Sequence, residues 1–413
     1  MSAITQKSPL AAQEPAAARS TSRHGLGFWL AAFAFFLNMA YSAVPTPLYV
    51  LYMGRDHFGS LMVTVIFAVY AVGVVLSLFL GGHLSDWLGR RRVFIPALLL
   101  NAATALLFIF VPSIAGLLIA RVLSGFAIGL TTATATSYVS ELHARHRPDA
   151  TTRRADVVAA AANLGGISFG PLAAGVIAQF LPSPLRLSYV IFGGALVVLA
   201  LALAVMPETV RRPDPRPRYR PQRVAVPRDA RATFFAATAV GIGTFAVLGV
   251  FNSLAPSFVA GTLHYTSHAT AGVGSFTAIF AAALAQILLA RLPVRTLLRA
   301  GVPLIIAGLA LVAGAMWLSS LPMFIVGGLI AGAGSGLSFK GALVTAATSA
   351  PPEARAEVLA GFFLGSYVGL ALPAIGLGVA TTYWAPKDVM LVFAVIVAVA
   401  VTLAVQAATV RRS

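Results

Sequence analysis

The sequence predicts an all-α membrane protein of about twelve transmembrane helices, and three observations predict it. Hydrophobic residues make up 59% of the 413-residue chain and charged residues only 10%, much less charge than the surface of a soluble domain of this size requires. Apolar runs of about 20 residues recur from end to end, each long enough to cross a hydrocarbon core of about 30 Å as a helix. Basic residues crowd into alternate connections. With both termini on the cytoplasmic side, the cytoplasmic segments hold 24 of the 29 Lys and Arg, the outer loops hold Arg55, Arg186 and Lys387, and Arg121 and Lys340 lie inside spans. That asymmetry is the positive-inside pattern of a multi-pass protein of the cell membrane. It accounts for the formal charge of +17 without a nucleic-acid partner.

In chain order, residues 1–26 are rich in Ala, Ser and Gln, carry Lys7, Arg19 and Arg23, and lack the apolar core of a secretory signal. They are expected to form a disordered cytoplasmic tail. The apolar runs follow near 27–50, 60–82, 94–112, 114–140, 156–180 and 187–206, and again near 232–254, 269–290, 297–317, 321–348, 357–382 and 388–408. Between the two sets lies 207–231, with eight arginines and six prolines. Proline this dense forbids a helix and arginine this dense holds the segment at a lipid surface, so a flexible cytoplasmic linker is expected. The divisions are therefore 27–206 and 232–408 as six-helix bundles, with 409–413 a second short cytoplasmic tail. Tyr41-Ser42-Ala43-Val44-Pro45-Thr46-Pro47 closes the first run, where two prolines should kink or end the helix.

The halves echo one another. Arg154-Ala155-Asp156-Val157-Val158 matches Arg355-Ala356-Glu357-Val358-Leu359, Leu164-Gly165 matches Leu364-Gly365, Pro171 matches Pro373, and Gly125 and Gly129 match Gly332 and Gly336. Recurrence in the same order implies two homologous bundles, and paired bundles of this kind place a substrate cavity between them near the midplane.

Short motifs narrow the class. Gly82-His83-Leu84-Ser85-Asp86-Trp87-Leu88-Gly89-Arg90-Arg91-Arg92 sits in the gap between the second and third runs, and hydrocarbon cannot hold such a charge cluster. Its spacing Gly-x-x-x-Asp-x-x-Gly-Arg-Arg resembles the loop between the second and third helices of the major facilitator superfamily, with Trp87 where those proteins commonly carry Arg or Lys. Arg121-Val122-Leu123-Ser124-Gly125 in the fourth run resembles a second motif of that family, whose arginine faces the cavity and is associated with proton-coupled transport. In the fifth run, Gly166-Ile167-Ser168-Phe169-Gly170-Pro171-Leu172-Ala173-Ala174-Gly175 is similar to the Gly-x-x-x-Gly-Pro-x-x-Gly-Gly element used chiefly by exporters that exchange drugs or metabolites for protons; Ala174 replaces one glycine. Pro207-Glu208-Thr209 resembles a turn frequent after the sixth helix.

The resemblance implies the major facilitator fold and a secondary active transporter working as a monomer by alternating access. It implies efflux by proton antiport, as in multidrug resistance; import of a nutrient or organic anion is the alternative. It assigns gating to Gly82, Asp86, Gly89 and Arg90, with Asp86 pairing either with Arg90 or with a helix of the other half. Gly166, Gly170, Pro171 and Gly175 would form a moving contact between halves.

Charged groups inside a bilayer are costly and so are candidates for function. Arg121 shares a helix face with Gly125 and Gly129, and Lys340 continues the stripe Gly328, Gly332, Gly336, so both should point into their bundles rather than at lipid. Asn38 and Asn252 are the polar candidates for substrate contact because the first and seventh helices line the cavity in the family. All twelve acids lie in loops, tails or helix ends. The embedded carboxylate that couples many proton-driven exporters is missing, which leaves Lys340 as the titratable candidate and an anionic small molecule as the favoured substrate. Catalysis would call for paired carboxylates, a metal-ligand cluster or a nucleophile with its base; the spans hold none, and there are no cysteines. No enzyme activity, cofactor or metal is expected.

Overall fold

Twelve helices among the described residues are long and apolar enough to cross a membrane, in the order expected. The computed structural model describes residues 14–82, 84–210, 219 and 221–410, with side chains described from residue 22 through 409. The helices of the first half are α1 (Glu14–Ala43), α2 (Pro45–Asp56), α3 (Ser60–Gly81), α4 (Leu84–Leu88), α5 (Arg90–Phe110), α6 (Ile114–His146), α7 (Arg153–Phe180) and α8 (Pro184–Ala204). Those of the second are α9 (Arg231–Ser253), α10 (Ala255–Gly261), α11 (His268–Leu288), α12 (Val294–Leu318), α13 (Leu321–Thr348), α14 (Arg355–Ala380) and α15 (Pro386–Val410). The face carrying residues 205–210 and 221–230 is called the linker side below, and the opposite face the far side.

Two breaks divide what the apolar pattern reads as single spans. The first span stops and restarts at Val44, with Pro45 opening α2; the seventh does the same at Leu254, with Pro256 in the first turn of α10. Proline lacks the N–H that would reach four residues back, so the helix loses a bond at each position.

Each half buries its own apolar cluster. One joins residues from Phe28 to Met206, the other residues from Phe234 to Ala408. A third, small cluster of Phe67 and Ala71 from α3 with Leu370 and Ala374 from α14 sits between the halves. The other long seam runs between α7 and α11.

Close approach along these helices depends on small residues, as expected where lipid supplies no hydrophobic drive. A Cβ at Gly125 would come 2.1 Å from the Tyr70 carbonyl oxygen, one at Gly332 2.0 Å from that of Ala278, and one at Gly336 2.3 Å from that of Ala282. The paired glycines of the internal repeat thus do the same work in both halves, pressing α6 on α3 and α13 on α11.

Two tail and linker expectations need correction. Residues 14–26, read as part of a disordered tail, belong to α1; residues 1–13 lie outside the described set. Ala16, Ala17 and Ala18 are strong helix formers, and Glu14 followed by Pro15 suits a helix start. The linker is not held at the lipid surface alone: Gln222 donates its backbone N–H to the Phe79 carbonyl at 2.9 Å, and Tyr219 donates its hydroxyl to the Leu80 carbonyl at 3.0 Å. Both acceptors belong to the last turn of α3, where carbonyls have no partner within their own helix. Val224 meanwhile lies against Gly361 of α14. Residues 211–218 and 220 lie outside the described set.

Gly332→Val is expected to force α13 off α11. Overpacking of this kind costs about 1–3 kcal/mol, and a lowered thermal unfolding midpoint of purified protein in detergent is the measurement that checks it.

Candidate functional site

The linker-side turn is built around one buried arginine. Arg90 opens α5 and donates to Asp86 at 2.5 Å, to Glu141 of α6 at 2.8 Å and to the Ser85 hydroxyl at 2.8 Å. Asp86 lies in the separate short helix α4, not in the helix before it, and its side chain is 61% exposed. Of its two foreseen partners the structure shows Arg90, four residues on and in the same half. Gly89 has φ +111°, a conformation that disfavours a side chain, and a Cβ there would come 2.6 Å from Glu208 Oε2. Gly82, by contrast, keeps right-handed helical angles, φ −56° and ψ −30°, so it does not make the turn. His83 lies outside the described residues.

Glu208 explains why Gly89 approaches so closely. Its carboxylate accepts the backbone N–H groups of Arg90 at 2.9 Å and Arg91 at 3.1 Å, capping the start of α5, whose own cap residue supplies no side chain. Arg91 answers by donating to the carbonyls of Ala204 and Met206 at the end of α8. From α6, Tyr138 donates to the Pro207 carbonyl at 2.6 Å, Glu141 accepts the Thr209 hydroxyl at 2.5 Å, and Arg145 reaches the Thr209 carbonyl. Three side chains on one face of α6 therefore bind the segment after α8 to the α4–α5 turn. Glu141 was not singled out from sequence, and Arg91 and Thr209 were named only within their motifs; the polar spacing 138, 141, 145 on α6 was the available signal.

Deeper in, Arg121 is only 2% exposed, so it does not reach the far surface. It donates to the Ser42 carbonyl at 2.7 Å, beside the proline break that ends α1, and its guanidinium lies 4.5 Å from the centre of the Tyr70 ring on α3. A desolvated cation over an aromatic face is worth about 2 kcal/mol. Buried Arg121 Nε, Ser124 Oγ and Tyr49 Oη have no hydrogen-bond partner. What distinguishes the Arg121 region from an ordinary packing core is a buried cation with polar atoms beside it and no acidic partner among the described residues.

Asn38, expected to contact substrate, is engaged within its own half. It is fully buried, donates to Thr131 of α6 at 2.8 Å and accepts from Asn101 of α5 at 2.8 Å, so it ties three helices of one half together. Asn252 instead lies between the halves: the Thr46 hydroxyl is 3.0 Å from both its backbone and side-chain oxygens. The partner that Asn252's carbonyl would have in a continuous helix is the N–H of Pro256, which does not exist, so the Thr46 hydroxyl fills the gap left by the break. The signal for this contact was present in the sequence as a further repeat, Ser42-Ala43-Val44-Pro45-Thr46 against Ser253-Leu254-Ala255-Pro256-Ser257.

The glycines of α7 divide between two tasks. Gly166 and Gly170 lie against the Phe36 and Ala40 carbonyls of α1, in their own half, while Pro171 and Gly175 meet Gly272 and His268 of α11 across the seam. Of the four positions expected to meet the other half, Pro171 and Gly175 do so, and Gly166 and Gly170 do not. Above it, Gln179 accepts the His268 backbone N–H at 2.9 Å, and Phe169 meets Phe276 edge-on. Lys340 follows its glycine stripe as expected, but onto α11, where it donates to the Gln286 carbonyl at 3.1 Å. That oxygen belongs to the last turn of α11, so the lysine caps a helix end. No cluster of side chains suited to a metal ion occurs among the described residues.

Glu208→Ala removes the cap of α5 and is expected to lower stability by about 1–2 kcal/mol, seen as a fall in thermal midpoint that Glu208→Gln only partly reproduces. Thr46→Val leaves the Asn252 oxygens without their donor. Its expected result is about a threefold rise in far-side labelling of a cysteine placed at position 257, which leaves Asn252 and Pro256 intact, from loss of about one hydrogen bond.

The model of the Major Facilitator Superfamily matches residues 31–372. The fold is similar to the crystal structure of a mutant of the nucleoside transporter NupG, with a TM-score of 0.70 and 13% identity over 92% of this chain and 99% of that one. It is also similar to a bacterial homologue of the human lysosomal transporter Spinster in an inward-facing, unoccupied conformation, with a TM-score of 0.67 and 15% identity over 93% of this chain and 97% of that one. A 76-residue stretch is 34% identical to Monosaccharide-sensing protein 2 of Arabidopsis thaliana, covering 18% of this chain and 10% of the length of that protein. From the family match along most of its length, together with the paired-bundle fold, this chain belongs to the Major Facilitator Superfamily of membrane transporters.

Proposed function

We propose that this transporter exports a small organic molecule by alternating access, with the linker side cytoplasmic. The observation that carries the reading is the distribution of contacts between the halves. Thr46 with Asn252, Gln179 with His268, Gly175 with Gly272, and Gly378 with Thr64 all lie toward the far side. A far side sealed by hydrogen bonds and glycine contacts is what one state of a rocking pair of bundles requires. The basic linker side suits the cytoplasm by the positive-inside rule. Export rather than import is supported by the Gly-Gly-Pro-Gly pattern of α7.

In this reading Arg121 contacts substrate, with Ser124 and Tyr49 supplying further polar atoms. An anionic or acceptor-rich substrate complements that set, and proton exchange drives the cycle. Import of a nutrient or organic anion is the second reading, favoured by the same arginine. Asp86, Arg90 and Gly89 serve the linker-side gate by holding the α4–α5 turn rigid. The protein acts as a monomer, and residues 27–206 and 232–408 are the two moving bodies.

Flux measured in proteoliposomes of defined orientation, with an imposed pH gradient and candidate anions, tests the direction. Uptake toward the linker side alone would replace export with import. A Cβ at Gly175 would meet the His268 carbonyl at 2.6 Å, so Gly175→Val is expected to hold the far side open and reduce flux about tenfold or more, given an overpacking cost of about 1–3 kcal/mol. Arg121→Gln at matched expression is expected to raise the half-saturating concentration of an anion while leaving the protein folded.

A further inference from the structure

On the far-side half of the second bundle, α15 stands away from α14 and leaves a crevice of about 770 Å³ whose floor is α9. Its walls are apolar and small: Ala239, Ile242 and Ala246 from α9, Gly376 and Ala380 from α14. A Cβ added at Gly376 would meet nothing within 4 Å, so this glycine borders open space rather than a neighbouring helix. Pro373 lies at the deep end; the helix bond it cannot make permits α14 to bend there. Val392 and Ile396, on the opposite wall, are 58% and 60% exposed, so the crevice opens sideways, toward the bilayer.

Water does not fill an apolar crevice at membrane depth, and the protein provides no side chain that does. The dimensions fit one occupant. From Asp388 to Ala400 along α15 is roughly 18 Å at 1.5 Å per residue, against about 15 Å for half of a ~30 Å hydrocarbon core. The crevice therefore runs one leaflet deep, starting from the far surface. At its mouth stand Trp384, 65% exposed, and Asp388; no basic side chain lines it. Lys387, next in sequence, turns its ammonium onto the Trp317 ring at 4.3 Å and does not line the crevice, so the charge at the mouth is the Asp388 carboxylate, which recognises an ammonium group and disfavours a net-negative headgroup.

We propose that this crevice binds an acyl chain of phosphatidylethanolamine from the far leaflet, with the ammonium of its headgroup held at Asp388 and Trp384. The position gives such a lipid leverage on transport. The segment of α14 that forms one wall presents its other face to α3, where Gly378 meets Thr64 and Leu61 across the seam. An occupied crevice backs that segment while it seals the far side. The site is separate from the Arg121 region and does not depend on which molecule is carried or in which direction.

Tryptophan quenching tests the site directly. Replacement of Trp29, Trp87 and Trp317 by Phe leaves Trp384 as the sole indole. The protein is then reconstituted in phosphatidylcholine vesicles containing a minor fraction of acyl-brominated phosphatidylethanolamine or, separately, brominated phosphatidylglycerol. Quenching by the ethanolamine lipid is expected to exceed that by the glycerol lipid about fivefold at equal mole fraction, the scale of one ordinary net hydrogen bond. Gly376→Leu fills the crevice without meeting a neighbour and is expected to lower quenching by both lipids to a common value. Asp388→Asn, of nearly the same size, is expected to erase the headgroup preference and keep the chain-dependent quenching. Equal quenching by the two lipids in the parent protein, or quenching that Gly376→Leu leaves unchanged, overturns the assignment. Because the readout is fluorescence rather than flux, its failure leaves the transport reading standing, and failure of the transport reading leaves the lipid site standing.

Discussion

Every polar group at membrane depth has to find its partner inside the protein, and much of this structure follows from that constraint. The backbone satisfies it by folding into helices throughout. The exceptions are the proline breaks, where a carbonyl loses its donor, and there the chain spends side chains to repair the loss. Thr46 reaches the Asn252 carbonyl that Pro256 leaves without a donor, and Arg121 reaches the Ser42 carbonyl, next to the one that Pro45 cannot serve. These repairs are also the contacts that join α1 to α6 and the first half to the second. A defect in helix bonding thus becomes a device for specifying which helices meet.

The same logic governs the linker side, where helix ends rather than breaks leave groups unpaired. Glu208 serves the N–H groups that open α5, Arg91 the carbonyls that close α8, Lys340 a carbonyl near the end of α11, and Tyr219 and Gln222 those that close α3. The charged motif between α3 and α5 is foremost a set of exchanged caps that ties four helices of the first half together. Asp86, largely exposed, contributes its charge to Arg90 from outside; the buried arginine and the two glutamates carry the connection.

Between the halves the contacts are of another kind. Glycine against glycine at Gly175 and Gly272, and Thr against a freed carbonyl, bring backbones close, beside side-chain contacts at Phe169 with Phe276 and at Phe67 with Leu370. Gly166 and Gly170 pack within the half instead, so one glycine motif serves both the α7–α1 contact and the α7–α11 seam.

Fold class was legible in the sequence because hydrocarbon imposes a length and a composition that are read residue by residue: twelve apolar runs, basic residues on one side, and a repeated pattern of Gly125 and Gly129 with Gly332 and Gly336. Helix faces were legible for the same reason, since a period near 3.6 places Lys340 on its glycine stripe without reference to any other helix. What those faces touch was decided only by the tertiary structure. Asn38 and Asn252 are chemically alike and lie on corresponding helices, yet one is enclosed by Thr131 and Asn101 and the other meets Thr46 of the opposite half. The glycines of α7 differ likewise according to which neighbour each 100° turn of the helix presents. Partners distant in sequence, such as Glu208 with Gly89 or Arg121 with Tyr70, are selected by how whole helices pack, and no local pattern encodes that choice.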